Sequence, residues 1–103
     1  MTTINIFKKN GQVNKIIIKG HTGYDLNGRD IICSSVSTAF YLLVFILDNL
    51  EVDYVMKDDE EAVGELVIND FNGVLKSVLD AVVEYYIELE KQYIGYLKVE
   101  IGG

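Results

Sequence analysis

Between Cys33 and Leu50 the apolar residues Cys33, Val36, Phe40, Leu43, Leu47 and Leu50 recur at intervals of three and four, the spacing that lines one face of an α-helix. On both sides of this segment the period drops to that of a strand. Residues 2–9 put Ile4 and Ile6 on one face, Asn10-Gly11 is the dipeptide that a two-residue type I′ turn prefers, and residues 13–19 resume the β-branched pattern. Residues 52–57 and 62–68 have strand character on either side of the acidic turn Asp58-Asp59-Glu60-Glu61. After Asn72-Gly73, a second helical face is spelled by Leu75, Val78, Val82, Tyr86, Leu89 and Tyr93, and Leu97, Val99 and Ile101 alternate as a closing strand. No proline interrupts these segments. The periods therefore predict the order β-β-α-β-β-α-β, with the first helix starting near Asp30 and running for roughly five turns. Hairpins with short turns favour antiparallel pairing, so the expected fold class is α+β: a two-layer domain whose largely antiparallel sheet carries both helices.

The 103 residues, 50% of them hydrophobic, supply one core and not two, so residues 1–103 are expected to form a single domain. A single cysteine excludes an internal disulfide framework and points to a reducing compartment, with the cytoplasm as the expected location. The first eight residues already alternate like a strand, so no secretory signal is expected. The longest unbroken apolar run, residues 39–47, is far shorter than the roughly 20 residues that cross a bilayer. It reads as a buried helix, and no membrane association is expected. Leu42, Phe45 and Ile46 fall off the main stripe of that helix, which is therefore apolar over more of its circumference than one core contact requires; a homodimer is the expected use of the surplus. The net charge of −7 argues against direct binding of nucleic acid and suits a basic protein or peptide partner, although the same charge also serves plain solubility.

The stretch GHTGYDLNGRDIICSSVS, residues 20–37, holds the only histidine and the only cysteine of the chain. A thiol is nucleophilic as thiolate, and its pKa falls at a helix N-terminus and beside a protonated imidazole. With Asp30 as N-cap, Ile31, Ile32 and Cys33 become the first helical residues, where unpaired N–H groups and the positive end of the helix dipole favour an anion. His21 opens the loop that feeds this helix, a loop whose two ends are expected to be tied to the same sheet edge. Gly20, Gly23 and Gly28 permit unusual backbone angles, so a flexible loop that closes around substrate is expected. The residues alone leave a second reading open. Cys33 lies on the same stripe as Val36 and Phe40, free cysteine is among the most buried residue types, and Asp30 as a cap opposes thiolate formation by its charge. A phosphate-binding loop is excluded by the missing Gly-Lys-Ser/Thr ending, and a dinucleotide fold by the missing Gly-x-Gly. One cysteine and one histidine are too few ligands for zinc, and the acidic turn lacks calcium-loop spacing, so neither a metal nor another cofactor is expected.

These same residues resemble the signature of the bacterial ribosomal-processing cysteine protease family, Prp. A Gly-His pair opens the loop (Gly20, His21), a Gly-x-Asp-Ile segment closes it (Gly28, Asp30, Ile31), and Cys-x-x-x-Ser starts the long helix (Cys33, Ser37), with Gly23 also matching. The resemblance implies a single cysteine-protease-like domain with Cys33 as nucleophile, His21 as its base, and Asp30 and Ser37 at supporting positions. It further implies a homodimer, and as substrate the short N-terminal extension of a large-subunit ribosomal protein. A non-catalytic ribosome-associated peptide-binding module, with Cys33 packed in the core, is the alternative that the residues leave open.

Overall fold

The computed structural model describes residues 2–20, 31–57 and 62–102. The acidic turn at 58–61 lies outside them. The chain begins with the strands β1 (Thr2–Lys9) and β2 (Gln12–Lys19), joined as the Asn-Gly dipeptide requires: Asn10 and Gly11 both take positive φ, 54° and 78°, the type I′ combination. A register shift between Phe7 and Lys8 then sets Ile4 opposite Ile18 and Ile6 opposite Ile16, and all four are fully buried on one face.

Helix α1 (Ile31–Asn49) follows, then β3 (Tyr54–Lys57), β4 (Ala62–Ile68), α2 (Gly73–Gln92) and β5 (Leu97–Gly102), the order read from the periods. The five strands form one sheet in the order β3-β4-β2-β1-β5. Every pairing is antiparallel except that of β5, which runs parallel to β1 with Thr2 opposite Leu97 and Ile4 opposite Val99. A helical connection such as α2 can return the chain in either sense, whereas a tight hairpin cannot. The sheet is thus mixed and mostly antiparallel.

One hydrophobic cluster joins the inner face of this sheet to both helices, through Ile32, Val36, Phe40, Leu43 and Leu47 of α1 and Leu75, Leu79, Val83, Tyr86 and Leu89 of α2. On the outer face, the partly exposed pairs Lys15–Glu65 and Lys98–Glu100 meet at 3.1 and 3.0 Å, and Lys15 also sits 5.6 Å from the Phe7 ring centroid. Such exposed pairs stabilise little; their use is to keep that face wet.

The ends of the helices account for the differences from the periodic pattern. Leu50 was expected on the α1 stripe, but the helix stops at Asn49 and Leu50 is exposed. Val52 N–H bonds the Leu47 carbonyl at 3.0 Å and Glu51 N–H bonds Asp48 at 3.1 Å, while Glu51 takes φ 56°. This is a Schellman closure, with glutamate at the left-handed position that glycine usually fills. Val52 is therefore spent on ending α1, and β3 begins at Tyr54 rather than at residue 52. At the same end of the sheet the side chain of Asn72 caps α2 by accepting from Leu75 N–H at 2.8 Å. Buried Gln12 donates to the Asp70 carbonyl at 2.7 Å and accepts from Asn72 N–H at 3.2 Å, which fastens the first hairpin to the start of α2.

Candidate active site

Glycine is required where β2 ends. Gly20 has φ 82°, a left-handed angle that other residues adopt at a cost, and it turns the chain out of the sheet after Lys19. β2 is the middle strand, so this exit lies at the centre of one end of the sheet and not on an edge as the sequence suggested. Lys19 pairs with Thr3 and with Ala62, which marks it as the end where β1 and β4 begin.

Helix α1 has its N-terminus at the same end of the domain. Its last turn is held near the start of β3, where the Tyr54 hydroxyl donates to Asp48, and Tyr54 pairs with Ile68 at the far end of β4. Nineteen helical residues at 1.5 Å each span roughly 28 Å, which carries the other terminus back to the Gly20 end. Cys33 is the third residue of α1, as the sequence placed it, among N–H groups that have no intrahelical acceptor. The first turn carries no acidic side chain, so nothing within α1 itself opposes an anion there. Ser37 follows one turn later and is half-buried. His21, Gly23, Gly28 and Asp30 lie outside the described residues. What is placed is the frame of the candidate site: the strand end after which His21 follows in sequence, and the helix head that carries Cys33.

That helix head is anchored by packing and by a hydrogen bond from α2. Ile32, Val36 and Phe40 are buried against the sheet and α2. In addition, the hydroxyl of fully buried Tyr86 donates to the Val36 carbonyl at 3.0 Å. Burial pushes the Tyr86 phenol well above its ordinary pKa, with a smaller contribution from Tyr85, so it remains a donor.

A groove of about 540 Å³ runs between the outer surfaces of the two helices, lined by Thr38, Leu42 and Ile46 of α1 and by Val78, Val82 and Tyr85 of α2. Position 42 lies nine residues beyond position 33, and at about 100° per residue these two are half a turn apart around α1. The groove thus occupies the flank opposite the one shared by positions 33 and 37. Its α2 half was not legible. Val78-Leu79 and Val82-Val83 are adjacent apolar pairs, either member of which fits a helical stripe; the core takes Leu79 and Val83 and leaves Val78 and Val82 to the groove. Among the described residues, no three His, Cys, Asp or Glu side chains converge as a metal site.

A two-layer α+β domain with its lone cysteine at the head of the first helix belongs in the class of candidate thiol hydrolases. The family model for cysteine protease Prp matches residues 1–98, and the chain is a member of that cysteine protease family. Solved structures share its fold over nearly the whole length. The ribosomal processing protease Prp of S. aureus in complex with a covalently linked product peptide superposes with a TM-score of 0.90 at 20% identity, covering 99% of this chain and 100% of the other. The same S. aureus protease with a substrate peptide gives 0.84 at 18% identity, covering 99% and 100%. SMU.848 of Streptococcus mutans gives 0.80 at 19% identity, covering 98% and 93%. Comparison with curated proteins returns no match.

Proposed function

We propose that this cysteine protease removes a short N-terminal extension from a large-subunit ribosomal protein of its bacterial host. Family membership supports peptide hydrolysis by a thiol, and the similar S. aureus proteins are ribosomal processing proteases that bind substrate and product peptides. The observation that carries the assignment of the nucleophile is the position of the only cysteine as the third residue of α1.

The thiolate of Cys33 attacks the scissile carbonyl carbon, forming an S–C bond while the oxygen becomes an oxyanion that first-turn N–H groups of α1 stabilise. His21, having taken the thiol proton, delivers it to the leaving amine as the C–N bond breaks. Water then attacks the thioester with His21 as base, releasing the carboxylic acid and regenerating the thiol. Asp30 and Ser37 support this pair, and the glycine loop carrying Gly20, Gly23 and Gly28 closes over the peptide. No metal or other cofactor takes part.

The enzyme works in the cytoplasm, without membrane or direct nucleic-acid contact, as a homodimer. Support for the dimer comes from the outer face of α1, where Leu42 and Phe45 are 58% and 65% exposed beside the apolar groove. A second copy supplies the same two side chains to fill that groove, as an isologous contact requires. No helix among the described residues is long and apolar enough to cross a membrane.

Incubation with the host's own full-length ribosomal protein, followed by mass measurement of its N-terminus, tests the reading. Loss of a discrete N-terminal peptide is expected, and an unchanged mass with active enzyme would remove this substrate.

A further inference from the structure

The buried stripe of α2 consists of Leu75, Leu79, Val83, Tyr86 and Leu89, and Tyr86 alone brings a hydroxyl into it. A buried hydroxyl is costly unless it is bonded, and phenylalanine would fill the same volume without that demand. The partner found is the carbonyl of Val36, 3.0 Å away. That carbonyl already stands at the position where α1 supplies its own acceptor bond, from the N–H four residues on, so α1 does not need the tyrosine to satisfy it. The bond thus has a direction: it grips the peptide of Val36 from outside, three residues beyond Cys33, and ties the opening turns of α1 to α2.

We infer that Tyr86 is a positioning residue for Cys33, holding the head of α1 wound so that its first-turn N–H groups stay aimed where the thiolate and the oxyanion form. The inference rests on the assignment of Cys33 as nucleophile. Helix ends fray because their first N–H groups lack partners, and the anion-stabilising field there is effective only within the first turn. Phe40 holds the same turns by packing, which resists separation of the layers but does not by itself fix the winding of the helix. A misplacement of about 1 Å at a reacting centre lowers rates by up to about 100-fold, so partial loosening of the turn is expected to be visible in kcat while the core stays intact.

Tyr86→Phe tests this, with Val83→Ala as a control that disturbs the same stripe without touching the bond. Alkylation of Cys33 by iodoacetamide is followed against pH, alongside kcat and KM on the host's ribosomal protein. Tyr86→Phe is expected to keep the fold and dimer, to move the alkylation midpoint up by about half a pH unit, and to lower kcat by about tenfold with KM little changed. Val83→Ala is expected to unfold at lower denaturant while keeping the wild-type midpoint and kcat. A wild-type midpoint and kcat in Tyr86→Phe, or equal losses in Val83→Ala, would overturn the inference. Cleavage that survives Cys33→Ala would instead sink the nucleophile assignment, and the alkylation midpoints would still decide whether Tyr86 positions the thiol.

Discussion

The carboxylate of Glu90, on α2, accepts a hydrogen bond from the backbone N–H of Val99 at 2.6 Å. β5 is an edge strand with β1 on one side only, and Glu90 occupies a donor on the side that β1 leaves open. An unpaired edge invites another chain to add to the sheet, and a charged group bonded to that edge blocks the addition. Hydrogen bonds to charged groups contribute about 1.5–3 kcal/mol, toward the low end where water competes. Glu90→Ala is therefore expected to lower stability by about 1–2 kcal/mol in urea unfolding, and to increase self-association on concentration. Glu84→Ala, at an exposed position on the same helix, should do neither. Equal stability of the two variants would show that the edge bond contributes nothing.

The dimer prediction places the contact on the outer face of α1. Phe45 is 65% exposed, so an aspartate there removes apolar contact area without opening a cavity in the protomer. Phe45→Asp is expected to give a monomeric mass in solution scattering at micromolar concentration, with the far-UV spectrum of the wild type. A dimer that survives both Phe45→Asp and Leu42→Asp would move the interface elsewhere.

Encounter with the substrate should depend on salt. The chain carries a net charge of −7, and ribosomal proteins are basic as a class, so long-range attraction raises the association rate until ions screen it over roughly 8–10 Å. The value of kcat/KM is expected to fall as sodium chloride is raised, while kcat at saturating substrate changes little. If kcat/KM stays flat, the charge serves solubility alone.

The fold was legible where backbone preference and burial demand the same residue. Asn10-Gly11 has one comfortable turn, and Ile4, Ile6, Ile16 and Ile18 alternate because one face of their sheet is dry. It was illegible where tertiary contact chooses between equivalent patterns. The pairs Val78-Leu79 and Val82-Val83 give two acceptable stripes, and the parallel sense of β5 depends on how α2 crosses the sheet. The length of α1 was legible, but Leu50 falls outside its face because Glu51 adopts the left-handed cap conformation without the glycine that announces it. For the site, local sequence sufficed to put Cys33 in the first turn of a helix. The bond from Tyr86 to Val36 spans fifty positions and leaves no periodic trace, since a tyrosine on a core stripe reads as one more apolar residue.

The most exacting prediction concerns Cys33 and His21 as a unit. They are the sole cysteine and the sole histidine, so no neighbouring thiol or imidazole can stand in for either. Groups that serve one step are non-additive on removal, because losing either already closes the covalent route. Cys33→Ala and His21→Ala are each expected to abolish detectable cleavage of the extended ribosomal protein with fold and dimer intact, and the double variant should be no worse than either single one. Cys33→Ser should fail as well, since a hydroxyl of ordinary pKa is too weakly ionised for a base placed to serve a thiol. Binding of the substrate to Cys33→Ala should persist, because recognition of the peptide does not need the sulfur. If Cys33→Ala cleaves at the wild-type rate, the thiol is a core residue and the nucleophile lies elsewhere. If His21→Ala alone retains activity, the thiolate is generated by the helix terminus without an imidazole, and the cleavage rate should then follow the ionisation of Cys33 alone as pH is raised.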